Sequence, residues 1–211
     1  MEDKKDLVSV TTVSEEESKM DATIDTISGR IFNYNDIRPE DISIFDIAHS
    51  LSNICRFTGH LRDFYSVAQH SVLVSDAQTT LAEKRAGLLH DATEAYVNDL
   101  PSPMKSGVDL GDYKTLEDRI HAVINEKYKV NDGMTPNIKK ADIKALLTEK
   151  RDLVDNDIVW EWAEGMDTFK DTIIPLPPKE AKKLFMRRVN QLFPDEVMVE
   201  MMSTIKVLDG E

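Results

Sequence analysis

The chain has 211 residues, a length that suits one domain and allows a sizeable core. With 26 Lys and Arg against 39 Asp and Glu, its net charge of −13 argues against a nucleic-acid polymer as the main partner, because phosphate-backbone binding needs a basic field. No apolar run reaches the ~18 residues of a membrane span, and a single cysteine, Cys55, allows neither an intramolecular disulfide nor a Cys-based zinc cluster.

Residues 1–22 are polar, with Glu15-Glu16-Glu17 among Ser and Thr, and read as a flexible arm. The N-terminus has no apolar core followed by a small-residue cleavage site, so no signal peptide is expected. Together with the cysteine usage this fits the cytoplasm, or the host cytoplasm for a phage-encoded chain. Ser28-Gly29 lies between two short β-prone runs within Thr26 to Asn35, which predicts a small hairpin.

Helical periodicity takes over from there. Pro39 to Arg56 carries Ile44, Ile47, Ala48, Leu51, Ile54 and Cys55 at helical spacing, with His49 beside the stripe as a structural histidine. Phe57 to His60 breaks the period and reads as a loop. Ser66 to Ala77 is a second helix, with Val67, His70 and Val74 near one face. Leu81 to Asn98 is a third, stopped by the stiff Asp99-Leu100-Pro101-Ser102-Pro103 segment. Tyr113 to Tyr128 is helical with Leu116, Ile120, Val123 and Ile124 inward and His121 toward solvent or a neighbour. Pro136 opens a helix to about Val154, with Ile138, Ala145, Leu146 and Leu153 on its apolar side and Asp142 among them. A carboxylate near the core costs several kcal/mol if unpaired and so wants a cation, a metal or a hydrogen-bond partner. Residues 160–178 look irregular, Lys179 to Phe193 is an amphipathic helix, and residues 194–211 form an acidic, methionine-rich tail without an assignable structure. The expected organisation is an all-α helical domain over 23–193, between the arm and the tail.

The chemistry centres on His90-Asp91-Ala92-Thr93-Glu94. The adjacent pair puts a nitrogen and a carboxylate ligand at one point of the backbone. Glu94 follows four residues after the His and three after the Asp, offsets that share a face on a helix. With His70 upstream and Asp142 downstream, two imidazoles and two carboxylates make a mixed nitrogen–oxygen site for Zn²⁺, Mn²⁺, Co²⁺ or Fe²⁺.

His70, the His90-Asp91 pair and Asp142, in this order on helices, resemble the HD superfamily of metal-dependent phosphohydrolases. Arg56 before the first histidine, Glu94 in an HDxxE form, and the run Asp99 to Lys105 resemble its 5′-deoxynucleotidase branch. Cys55-Arg56-Phe57 and the segment Phe64 to His70 also resemble phage-type dATP triphosphohydrolases. The resemblance covers residues from about Ser28 to Asp155 and implies an HD-domain helical bundle.

It further implies that His70, His90, Asp91 and Asp142 are the metal ligands, with Mg²⁺ at any additional site. Glu94 handles the proton of the attacking water or of the leaving group. Arg56, Lys105 and Lys139 neutralise phosphate charge. Asp99 sits near the sugar or helps hold a further metal, and Pro101 presses on the sugar. Phe57 stacks on the base where the family often has Trp, and Gly59 stands where family members can carry a bulkier side chain near the base. The implied substrate is a small deoxynucleotide, and the implied assembly is a homo-oligomer, a dimer or a hexamer.

Two reactions fit such a site: release of phosphate from a 5′-monophosphate, or of tripolyphosphate from a dNTP. The segment Phe64 to His70 favours the dNTP, dATP first. Ala95 after Glu94 argues against an alarmone hydrolase, which carries Glu-Asp after the two spacer residues, and no spacing recruits His49, His60 or His121 as the extra ligands of a cyclic-nucleotide phosphodiesterase. A non-catalytic nucleotide-binding protein on the same scaffold is the alternative of another class. Glu94 speaks against it, since binding alone has no need of that side chain.

Overall fold

A computed structural model describes residues 21–130 and 133–209, so most of the expected N-terminal arm lies outside the described residues. Among the described residues the fold is all-α apart from one two-stranded hairpin. Strands β1 (Thr23–Asp25) and β2 (Ile31–Asn33) pair antiparallel with Ile24 opposite Phe32. Gly29, at φ 82, lets the connection turn back, and its amide donates to the Thr26 carbonyl at 3.0 Å. The hairpin begins a few residues earlier than the β-prone run suggested. Its anchor is Phe32, fully buried and stacked on Tyr96 with centroids 4.2 Å apart.

Helix α1 (Ile44–Asn53) starts later than Pro39, because Pro39–Asp41 forms a separate 3-10 turn and Ser43 caps the helix, its Oγ accepting from the Phe45 amide. Ser66 in turn caps α2 (Val67–Asp76), accepting from the Gln69 amide. Buried on nearly every side, α2 packs against α1, α3 (Leu81–Leu89), α7 (Pro136–Leu153) and α8 (Pro178–Leu192). Gly87 permits the close approach of α3: a Cβ there would stand 3.2 Å from the Ser75 Cα.

The third helix differs from its expectation. It ends at Leu89, the chain turns through residues 90–93, and α4 resumes as one short turn, Glu94–Val97. His90 and Thr93 keep helical dihedrals, but the amides of Ala92 and Glu94 donate to the carbonyls of Leu89 and Asp91, three residues back. The His90 Nδ1 lies 2.8 Å from the Gly87 carbonyl, the acceptor that a continuing α-helix would also offer to the Asp91 amide. Beyond the Pro101 stop come α5 (Ser102–Gly107), α6 (Tyr113–Tyr128), α7 and, after an irregular stretch with one turn at Glu161–Ala163, α8. Thr135 caps α7 through the Ile138 amide, with Pro136 in the first turn.

The tail forms α9 (Pro194–Asp209) and docks through Phe193, Val197 and Glu200, all buried. The Glu200 carboxylate accepts from Ser43 Oγ at 3.0 Å, from the Ile44 amide at 3.2 Å and from the Tyr128 hydroxyl at 2.6 Å. It therefore joins α9 to the start of α1, where a carboxylate complements the helix dipole, and to the end of α6. Among the described residues no helix is long and apolar enough to cross a membrane. Glu200→Ala leaves three donors without this acceptor and is expected to lower stability by about 3 kcal/mol; a urea melt with an unchanged midpoint would show that this contact does not hold α9.

Candidate metal centre

Four side chains from three helical segments converge. His70, in the middle of α2, is fully buried. Its Nε2 lies 3.3 Å from His90 Nε2, 3.4 Å from Asp142 Oδ1 and 3.6 Å from Asp91 Oδ2. Asp91 Oδ2 is also 3.2 Å from His90 Nε2. One ligand atom each from His70, His90 and Asp142 lie within 4.8 Å of one another, so these three form a candidate metal-binding triad. A tetrahedral ion with ligands at ~2.1 Å places those ligands about 3.4 Å apart, close to the spacing seen here.

The donor chemistry points the same way. His70 Nδ1 is 2.6 Å from Glu149 Oε1, and His90 Nδ1 faces the Gly87 carbonyl. Both Nδ1 atoms face acceptors and act as donors. In the neutral rings both Nε2 lone pairs then face each other and two carboxylates, a cluster of acceptors that needs a cation or a proton between them.

The pKa directions follow from this crowding. Burial and Arg56 work against protonation of His70, but Glu149 and Asp142 outweigh them and raise it to about 9. Burial would raise Asp91, yet His90, His70 and Arg56 hold it well below the usual carboxylate range; Asp142 is held low against its own burial, chiefly by His70. Glu94 goes the other way. Burial, then Asp91 and Asp99, push it well above its ordinary value, and its Oε2 is buried without a hydrogen-bond partner.

His70 lies buried behind His90, Asp91 and Asp142, which line a cleft of about 360 Å³. Six carboxylates line it (Asp91, Glu94, Asp99, Glu117, Asp118 and Asp142) against three full cations, Arg56, Lys105 and Lys139. Each cation is already engaged. Arg56 Nη2 binds Glu149 Oε2 at 3.0 Å and Nη1 stands 3.9 Å from Asp99. Lys105 Nζ is 2.8 Å from Glu117 and 4.0 Å from Glu94, and Lys139 Nζ is 2.8 Å from Asp142.

The structure thus brings together His70, His90, Asp91, Asp142, Glu94, Arg56, Asp99, Lys105 and Lys139. It does not bring Phe57, Gly59 or Pro101 into the cleft wall. Phe57 faces Trp160 instead, Gly59 sits at φ 81 with open space where a Cβ would stand, and Pro101 is flanked by wall residues Leu100 and Ser102.

Sequence reasoning missed Glu149, which touches both His70 and Arg56. The available signal was its place seven residues after Asp142, on the same face of α7. His121, expected toward solvent or a neighbour, lines the cleft together with Glu117, one helical turn before it.

These features define an all-α domain with a candidate metal centre. Uncharacterized protein YfdR of Escherichia coli (strain K12) is 49% identical over 171 residues, covering 80% of this chain and 94% of that protein. The chain belongs to the same family as YfdR. An uncharacterized protein of Rhodobacter capsulatus is 38% identical over 127 residues, covering 56% of this chain and 64% of that protein. No family model matches the chain.

Asp142→Ala is expected to abolish retention of Zn²⁺ or Mn²⁺, read by elemental analysis of the purified protein; full retention would remove Asp142 from the ligand set. Glu149→Gln leaves every ligand in place but loses the charge behind His70. Calorimetric metal titration should show affinity about 10- to 100-fold lower, and wild-type affinity would mean that Glu149 serves Arg56 alone.

Proposed function

We propose that the chain is a metal-dependent phosphohydrolase that cleaves the bond between phosphorus and the 5′ oxygen of a deoxynucleotide. The observation that carries this reading is the donor set, two imidazole nitrogens and two carboxylates, of which His90, Asp91 and Asp142 line a cleft that also holds Glu94 and Arg56, with His70 buried behind them. It agrees with the HD-type resemblance of the His70, His90-Asp91 and Asp142 series.

His70, His90 and Asp142 hold the ion in this reading, with Asp91 as the fourth ligand. A mixed nitrogen–oxygen set suits Zn²⁺, Mn²⁺, Co²⁺ or Fe²⁺. When bound, such an ion supplies Lewis-acid polarisation of the phosphoryl group and a water of lowered pKa. The chain's own residues do the rest. Asp91 and Glu94 lie three residues apart, yet their environments drive their pKa values in opposite directions, which divides ligand from proton carrier. Glu94, buried at the cleft wall with one oxygen unpartnered, is placed to give a proton to the departing 5′ oxygen. Arg56 presents a guanidinium whose position Glu149 sets. Lys105 and Lys139 add positive charge on the opposite side, and Asp99, beside Arg56, is within the wall that meets the sugar.

Charge balance ranks the substrates. A triphosphate carries about four negative charges and needs several free cations or further metals beyond the α-phosphate. The cleft supplies three cations, all paired, against six carboxylates. That balance favours a 5′-monophosphate. The dNTP reading, dATP first, is supported by the likeness of Phe64 to His70 to phage-type triphosphohydrolases. A non-catalytic nucleotide-binding protein is disfavoured by Glu94, buried and poorly partnered at a position that binding alone does not require.

Turnover of a panel of dNMPs and dNTPs with Co²⁺, Mn²⁺ or Zn²⁺ tests the reading: free phosphate from dNMPs supports the monophosphatase, tripolyphosphate from dATP the alternative, and no product from either set refutes both. With the active substrate, Glu94→Ala is expected to keep the metal and slow turnover by about 10²–10⁴-fold. A wild-type rate would show that Glu94 carries no proton in the reaction.

A further inference from the structure

Arg56 lines the cleft, and the residue after it begins a ladder of aromatic rings. Phe57 and Thr58 both occupy the left-handed region, at φ 55 and 54, with Gly59 following at φ 81. Two consecutive non-glycine residues in this conformation are costly, and such strain persists where the surroundings enforce it, often at functional sites. Here the turn is held by the Arg56 amide on the Tyr65 carbonyl at 2.9 Å and the His60 amide on the Phe57 carbonyl at 2.9 Å. The outcome is a Phe57 ring nearly parallel to Trp160, 18° off, with centroids 6.4 Å apart; Trp162 continues the series at 5.7 Å and 21°.

That ladder flanks the metal cleft. Along α7, Asp142 and Leu146 line the cleft, and Lys150 stands one further turn on, with its Nζ 5.8 Å from the Trp160 centroid. The ladder lies outside the core: Phe57 and Trp160 are half-buried and Trp162 is 55% exposed. The Phe57–Trp160 spacing lies at the loose end of the 4.5–7 Å range of stacked pairs.

We propose that Trp160 is a substrate-binding residue that, with Phe57, stacks on the nucleobase while the phosphate sits at the metal centre. This rests on the deoxynucleotide reading above. The occupant is a single nucleotide and not a strand, because the segment that carries Trp160 and Trp162 also carries exposed Asp155, Asp157, Glu161 and Glu164, which repel further phosphates.

The chain has two tryptophans, so Trp162→Phe leaves Trp160 as the sole tryptophan reporter. Titration of that variant with each common deoxynucleoside should give saturable fluorescence quenching, and deoxyribose 5-phosphate, which has no base, should give none. Trp160→Ala should raise KM for the best nucleotide about tenfold with kcat within about twofold, and Trp160→Phe should restore most of the loss. Absence of quenching by every deoxynucleoside, or a wild-type KM in a folded Trp160→Ala, overturns the proposal. If Trp160→Ala fails to fold, the quenching titration decides alone. Saturable quenching in a protein that hydrolyses no nucleotide sinks the hydrolase reading and leaves the base platform standing; hydrolysis without quenching does the reverse.

Discussion

The centre depends on one fully buried carboxylate, Glu149, placed between an arginine and a histidine. It accepts from Arg56 Nη2 at 3.0 Å and faces His70 Nδ1 at 2.6 Å. Burying a guanidinium without a counter-charge is prohibitive, and Glu149 offsets that cost for Arg56. By occupying His70 Nδ1 it also directs the other ring nitrogen toward His90, Asp91 and Asp142. One side chain on α7 thereby positions a ligand on α2 and a cation on the turn after α1. The pKa directions agree: burial would raise Glu149, and Arg56 and His70 hold it below its ordinary value.

A second constraint is the helix break at His90. Had the helix continued, His90 and Glu94 would share one face four residues apart. With the bonds tightened after Leu89, Asp91 lies in a turn within 3.6 Å of both imidazoles, while Glu94 starts α4 and keeps to the Lys105 side of the cleft. The two carboxylates consequently meet different surroundings. Asp91 is held in its charged form by His90, His70 and Arg56, and Glu94 is pressed toward its protonated form by burial and by Asp91 itself.

The rest of the chain serves to fix these segments. The hairpin seats Phe32 on Tyr96 of α4, and the Tyr34 hydroxyl donates to the Tyr96 carbonyl at 2.5 Å, so the short turn that carries Glu94 is braced from outside the bundle. Glu200 of α9 ties the start of α1 to the end of α6, and α6 in turn carries Glu117 and His121 into the cleft wall. Elements far from the candidate metal centre thus contribute to the cleft's wall and charge.

Local signals in the sequence determined the helical class, the spans of α2, α6, α7 and α8 to within a residue or two, the hairpin, and the four side chains with metal-ligand chemistry. Each rests on short-range physics: apolar residues at 3.6-residue spacing, Ser and Thr caps, proline stops, and a nitrogen donor adjacent to a carboxylate. The tertiary structure alone decided that the helix breaks at His90, that Glu149 stands behind His70, that His121 and Glu117 enter the cleft, that residues after Pro194 dock as a helix, and that Phe57 faces Trp160 instead of lining the cleft wall. None of these follows from local pattern, because each depends on which surfaces meet when distant helices pack. The change at His90 shows the limit most clearly: its local sequence is compatible with a continuous α-helix, and in the packed structure the segment tightens to i+3 hydrogen bonds while the His90 ring sits on the Gly87 carbonyl.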